Sequence, residues 1–338
     1  MARIIERRRV EIAAGLALLA AVVAGTAGCG GRTPEGAGAA TPKGGPRILR
    51  FGAVLPMFSH PFFVAQKEGL ERQAKDLNVA IDVRDGQDDD AKQAAQVQAL
   101  LDAGVDAIIL CPRDEDAAVA AVEAANLAGV PVVTMNRRVH GGNVVAYIGA
   151  DDEEGGRAQG RALVEALGPK GGAILYLQGT QGSSPQRMRE SGLKAVLKDH
   201  AEITIADERF AGFAEDQAKE VMTDLVRRFK PGEIAAIVAQ SDEMALPAAE
   251  VARGEGWADV VVIGFNGTKE AFDAVKDGRL KATVLQDAAE QGALAMKAAA
   301  EHVHIQHHLK GQGTVNPEQI TPLPVVTKAN VDQLKPAY

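Results

Sequence analysis

Cysteine is nearly absent: 338 residues contain two, Cys29 and Cys111. Cys29 sits at the end of the N-terminal apolar stretch, so the rest of the chain keeps a single thiol and cannot close an internal disulfide. A chain of this length does not need one, because its core is large enough to stabilise it. Aromatic residues are also scarce, at one Trp, three Tyr and nine Phe. Basic charge is not in excess. Lys and Arg number 37 against 45 Asp and Glu, for a net −8, and no basic stripe forms. Nucleic acid is therefore not an expected partner. No HExxH pair accompanies the histidines at 302, 304, 307 and 308, and the Gly-containing turn 179–184 lacks the Gly-Lys-Ser/Thr of a phosphate loop. No Ser/His/Asp set emerges either. These absences argue against metal, nucleotide and nucleophilic chemistry, and neither a cofactor, a metal nor a catalytic residue is expected.

What is present begins with Arg3, Arg7, Arg8 and Arg9, followed by an Ala-rich apolar stretch from Ile12 to Gly28. A basic start, an apolar middle and small residues at Thr26-Ala27-Gly28 form the layout of an export signal. The stretch falls short of the roughly 20 residues that span a bilayer. Cys29 directly after the small residues resembles the acylation site of a bacterial lipoprotein, although Thr26 stands where that motif has Leu. Residues 30–46 are Gly, Ala, Pro and Thr without apolar period, the composition of a flexible tether. The expected division is a signal peptide over 1–28, a lipidated Cys29 with its tether over 29–46, and a folded body from Arg47 onward. An exported protein is expected, held by lipid in the periplasm or at the outer face of the cell membrane.

The body alternates apolar runs with helix-period segments. Strands are expected at Ile48–Leu55, Ala80–Arg84, Ala107–Leu110, Val132–Thr134, Val144–Ile148, Ala173–Leu177, Ile203–Arg209, Ala235–Ala239, Val260–Ile263 and Ala282–Leu285, with helices between them. Runs of Val, Ile and Leu without alternation mark strands buried on both faces, and strand–helix repetition at this spacing implies parallel sheets. The strands are too many for one sheet. The fold class is α/β, with two doubly wound three-layer lobes dividing near Ala150-Asp151. Ligands bind such sheets beyond the carboxyl ends of the strands.

The residues at those ends share a chemistry. Asn136, Arg137, Arg187, Asn266 and Gln286 carry planar forks that make paired hydrogen bonds. Phe62, Phe63 and Phe213 offer aromatic faces. A polyol presents vicinal hydroxyls at its rim and C–H bonds on its faces, and this set suits both. Two adjacent phenylalanines in Ser59-His60-Pro61-Phe62-Phe63 cannot easily share one core, so one ring is expected in the lobe and the other on a pocket floor.

The stretches SHPFF, PRDEDA (112–117), MNRR (135–138), LQGTQGSSPQR (177–187), AQSDEMAL (239–246), VIGFNGT (262–268) and ATVLQD (282–287) carry, in order and spacing, a specific resemblance. The body resembles the ribose-binding-type receptors of ABC importers, the type I periplasmic sugar-binding proteins. NRR, 149–160 and 282–292 look most like inositol-binding members. The resemblance implies two lobes joined by three crossovers that close on a sugar or cyclitol, with 47–150 plus 287–315 forming the first lobe and 151–286 plus 316–338 the second. A last strand, Ile320–Thr327, would join the second sheet. It implies a monomer that catalyses nothing and delivers its ligand to a membrane permease. A chemotaxis or quorum-sensing receptor of the same fold is the alternative. The effector domain of a transcription regulator is a more distant one, since an export signal stands where a DNA-binding headpiece belongs.

Carried over position by position, Phe62, Phe63, Arg137, Arg187, Phe213 and Gln286 match the ribose pattern. His60 and Ser241 each replace an Asn, and Asn136 and Asn266 each replace an Asp. Both carboxylates of the ribose pocket are thus missing while two arginines stay. Uncompensated buried cations are costly. Either the ligand is anionic or acceptor-rich, or another acid such as Asp114 or Asp287 turns inward.

Overall fold

The computed structural model describes residues 47–338; the expected export signal, Cys29 and tether lie outside the described residues. Strands without polar alternation become the inner strands of two sheets. The first sheet is built from β1 (Arg50–Leu55), β2 (Ala80–Asp85), β3 (Ala107–Leu110), β4 (Val132–Met135), β5 (Ala146–Ala150) and β11 (Glu318–Thr321). Its order is β11-β5-β4-β3-β1-β2, and every neighbouring pair is parallel. The second holds β6 (Gly172–Gln178), β7 (Ile203–Phe210), β8 (Ala236–Ala239), β9 (Val261–Asn266), β10 (Ala282–Leu285) and β12 (Val325–Thr327), in the order β12-β10-β9-β8-β6-β7. There β12 alone runs antiparallel, against β10. The two lobes thus repeat one winding.

Each sheet is sandwiched by apolar clusters that follow the two-residue period of a strand. Phe51, Ala53 and Leu55 point to one face of the first sheet and Val54 to the other. Leu175 and Leu177 face one way in the second, Ile174 and Tyr176 the other. Trp257 is part of the second core, and Cys111 is fully buried in the first. Burial pushes that thiol's pKa up to about 12, which makes it an inert small hydrophobe.

One helix pair packs within each lobe, in the same manner in both. In the second lobe α4 (Asp152–Leu167) crosses α5 (Ser184–Leu197). In the first, α1 (Pro61–Asp76) crosses α9 (Ala288–His308). Glycines sit at both crossings. A Cβ at Gly156 would lie 2.1 Å from the Arg189 carbonyl, and one at Gly69 would lie 2.0 Å from that of Ala289. The backbones meet where a side chain would part them.

The remaining helices are α2 (Asp90–Asp102), α3 (Val119–Leu127), α6 (Glu215–Arg228), α7 (Asp242–Gly254) and α8 (Lys269–Asp277). Helix α3 starts only at Val119. The Asp114 carboxylate accepts from the Asp116 and Ala117 amides at 2.9 and 2.8 Å and holds that stretch as a turn. Asp89 caps α2 by accepting from the Lys92 amide at 2.8 Å.

The chain crosses between lobes three times: after β5, after β10, and between β11 and β12. The third crossing departs from expectation. The single strand expected over 320–327 is two strands, and residues 318–321 pair with β5 of the first sheet. Pro322 and Pro324 supply the reason, since proline cannot donate to a ladder. The first lobe therefore keeps the chain past 315, and only 325–327 joins the second sheet.

Candidate functional site

The carboxyl ends of both sheets face one cavity of about 550 Å³, within the range of small-molecule sites. The first lobe contributes the loop after β1. His60 caps α1: its backbone is extended and its Nδ1 accepts from the Phe62 amide at 3.2 Å. That bond leaves the ring proton on Nε2. Burial pushes the imidazole pKa down, with Arg137 adding to the fall and Glu243 opposing it, so His60 is neutral near pH 7. Pro61 then opens the helix, where a missing amide costs nothing. Phe62 and Phe63 are both buried, meet edge to face at 5.6 Å, and both border the cavity. The expected division of labour between the rings does not hold; each is at once core and wall.

Four lining residues carry left-handed backbones rarely adopted outside glycine: Asp88 (φ 54°), Asn136 (φ 63°), Phe213 (φ 61°) and Asn266 (φ 113°). For a bulky aromatic such as Phe213 this is a strained conformation of about 1–3 kcal/mol. Such strain concentrates at sites where side-chain direction matters more than local stability.

The arginines fall into three environments. Arg137 lines the cavity and is buried. Its guanidinium donates to the carbonyls of Arg113 at 2.7 Å and Pro112 at 3.4 Å, and lies 5.7 Å from the Phe63 ring. Its Nε–H has no partner among the described residues. Arg187 is half exposed and does not border the cavity; it reaches across the cleft to the buried Glu115 of the first lobe at 2.7 Å. Glu115 also meets His140 at 3.1 Å. Two residues further along α5, Arg189 takes the place expected of Arg187. It is buried, borders the cavity, and stacks 3.6 Å over Phe265. Its Nε donates to Asp152 at 2.8 Å, and its terminal nitrogens donate to the Gln240 carbonyl at 2.7 Å and Gln286 Oε1 at 2.8 Å.

Of the ten expected positions, His60, Phe62, Phe63, Asn136, Arg137, Phe213 and Asn266 converge on the cavity. Arg187, Ser241 and Gln286 do not. Ser241 is the fully buried residue preceding α7, and Gln286 lies behind Arg189 and grips it. The choice between the arginines was legible. The buried face of α5 includes Pro185, Arg189, Gly192 and Leu193, a three-to-four spacing, whereas Arg187 shares the opposite face with Glu190 and Lys194.

Charge balance is also met by unexpected groups. Asp114 closes its own turn, and Asp287 caps α9 by accepting from the Glu290 amide at 2.8 Å. Neither turns inward. Instead the fully buried Asp152 faces Arg189. Burial raises that carboxyl above the ordinary range, and Arg189 works against the rise. Glu243 borders the cavity, as do Asp88, Glu215 and Asp216. Beside Glu243, Asp242 accepts from the Gly267 and Thr268 amides and the Thr283 hydroxyl, while burial pushes its pKa up to about 8. It braces the β9 loop that carries Asn266. Among the described residues no group of three or more His, Cys, Asp or Glu is placed to hold a metal, and no helix is long and apolar enough to cross a membrane.

Known proteins are similar to this chain in sequence and fold. The ribose import binding protein of Bacillus subtilis is 35% identical over 262 residues, covering 78% of this chain and 84% of that protein. A xylitol-binding protein of Mycolicibacterium smegmatis is 30% identical, covering 80% of this chain and 75% of its own. Among solved structures, an ABC transporter solute-binding protein of Bacillus halodurans with bound myo-inositol superimposes with a TM-score of 0.78 at 29% identity. That match covers 84% of this chain and 96% of the other. The periplasmic binding protein domain family matches residues 51–306. With its two parallel-sheet lobes around one cavity, this chain belongs to the type I periplasmic sugar-binding family.

Proposed function

We propose that this protein captures a small neutral polyol, a monosaccharide or a cyclitol of the ribose or inositol kind, between its lobes and passes it to the membrane permease of an ABC importer. The carrying observation is the cavity itself. Aromatic faces from both lobes (Phe62, Phe63, Phe213) meet amide and guanidinium forks from both lobes (Asn136, Arg137, Asn266, Arg189). A ligand that touches both sides favours the closed arrangement, a population shift toward contact. Neutrality follows from the charges. Arg189 is already paired with Asp152, and carboxylates at 88, 215, 216 and 243 border the same space. An anionic sugar would meet that excess of negative charge. The relatives that bind ribose, xylitol and myo-inositol support the ligand class. The protein acts by binding and release, as a monomer, and catalyses nothing.

A thermal-shift panel followed by calorimetry tests this: pentoses, hexoses, cyclitols and acyclic polyols against sugar acids and sugar phosphates. Stabilisation by at least one neutral polyol is the expected result. Response to the anionic members alone, or to none, would reject it. The export signal and the resemblance around Cys29 further support a lipid-held position outside the cytoplasm. Labelled palmitate should enter the wild-type chain and not Cys29→Ser; equal labelling of both would reject the anchor.

A further inference from the structure

We propose that Glu243 is a ligand-recognising carboxylate of this cavity and that Tyr338 positions it. The inference rests on the function proposed above and adds a residue pair outside the ten expected positions.

Glu243 lies in the first turn of α7 and borders the cavity. Both of its oxygens are held. The Tyr338 hydroxyl donates to Oε1 at 2.6 Å, and Asn266 Nδ2 donates to Oε2 at 2.9 Å. A carboxylate oxygen accepts more than one hydrogen bond, so each keeps capacity for a ligand hydroxyl. Two fixed donors remove the rotamer freedom that a free glutamate would lose on binding.

Tyr338 is itself fixed from two directions. Its carbonyl accepts from the Lys269 amide at 2.8 Å, and the Ala337 amide donates to the Gly267 carbonyl at 2.8 Å. Those bonds seat it on the loop that follows Asn266. Its ring meets Phe62 of the first lobe at 6.1 Å, edge to face, and packs on that lobe's core. Tyr338 therefore touches an aromatic wall of one lobe while it holds a carboxylate of the other. Positions 136 and 266 are amides, so Glu243 returns a negative charge to the space that Arg137 lines. Arg137 lines the same cavity as Glu243 and carries an Nε–H without a partner among the described residues. A ligand hydroxyl between the two can accept from one and donate to the other, a pairing that selects neutral hydroxyls over carboxylates and phosphates.

The test is calorimetry with wild type, Glu243→Gln, Tyr338→Phe and the double variant, against myo-inositol, D-ribose and xylitol. Glu243→Gln is close to isosteric, and Glu243→Asp, which withdraws the charge by one methylene, serves the same comparison if the amide variant fails to fold. Glu243→Gln should weaken the best wild-type ligand about tenfold or more. Tyr338→Phe should weaken binding about threefold, unequally among the ligands, and under about twofold in the Glu243→Gln background, because its effect runs through the carboxylate. Unchanged affinity on substitution of Glu243 overturns the inference and leaves the proposed function standing. An equal loss for every ligand, persisting in the double variant, makes Tyr338 a packing residue and overturns the positioning role. Absence of any binding by wild type overturns the proposed function, and this inference falls with it.

Discussion

Replacing Arg189 with methionine should abolish detectable ligand capture and cost about 3–5 kcal/mol of stability, the effect of breaking a buried ion pair by removing one partner. Methionine leaves Asp152 buried without its cation, and frees the Gln240 carbonyl and Gln286 Oε1 from their donor. It also removes the flat cation stacked 3.6 Å over Phe265. Lysine is a poor substitute, because a point charge cannot reach three acceptors and stack at once. Arg187→Met is the contrast. That side chain is half exposed, and its cross-cleft pair with Glu115 is expected to be worth about 1 kcal/mol or less. Urea unfolding and calorimetry on both variants decide the matter. A stable Arg189→Met protein that still binds as wild type would remove Arg189 from the site.

Gly156→Val should destabilise the second lobe by about 3 kcal/mol or more, at the upper end of overpacking effects. The new Cβ would stand 2.1 Å from the Arg189 carbonyl, and no rotamer change relieves a clash with backbone. Helices α4 and α5 would have to separate, which would also move Arg189 within the cavity. Gly254→Ala is the control, since that glycine faces open space without a left-handed backbone and ends a helix. It should be neutral or slightly stabilising. A Gly156→Val protein that unfolds at the wild-type denaturant midpoint would refute the close-packed crossing.

Both variants concern details that lie at different depths in the sequence. The strands were legible because a strand buried on both faces must be apolar throughout, as in Ile108-Ile109-Leu110 and Ile237-Val238. His60, Phe62, Phe63, Asn136, Arg137, Phe213 and Asn266 were legible as neighbours because parallel sheets bring successive strand ends to one edge. The Arg187–Arg189 confusion was avoidable, since helical period alone separates the two faces of α5. The third crossing, which the resemblance implies before residue 316, lies instead at the prolines 322 and 324, which divide the strand between two sheets.

By itself, then, the order of apolar and polar residues determined two wound lobes, the edge on which a ligand sits, and the aromatic-and-fork chemistry of that edge. Which acid balances which arginine was decided only by the folded chain. Asp152 and Arg189 are far apart in sequence and meet through the packing of α4 on α5, and Tyr338 reaches Glu243 only because the chain returns past the β9 loop. Local periodicity reports burial, which each residue experiences singly. Pairing depends on distances between segments, and those exist only once the lobes have packed.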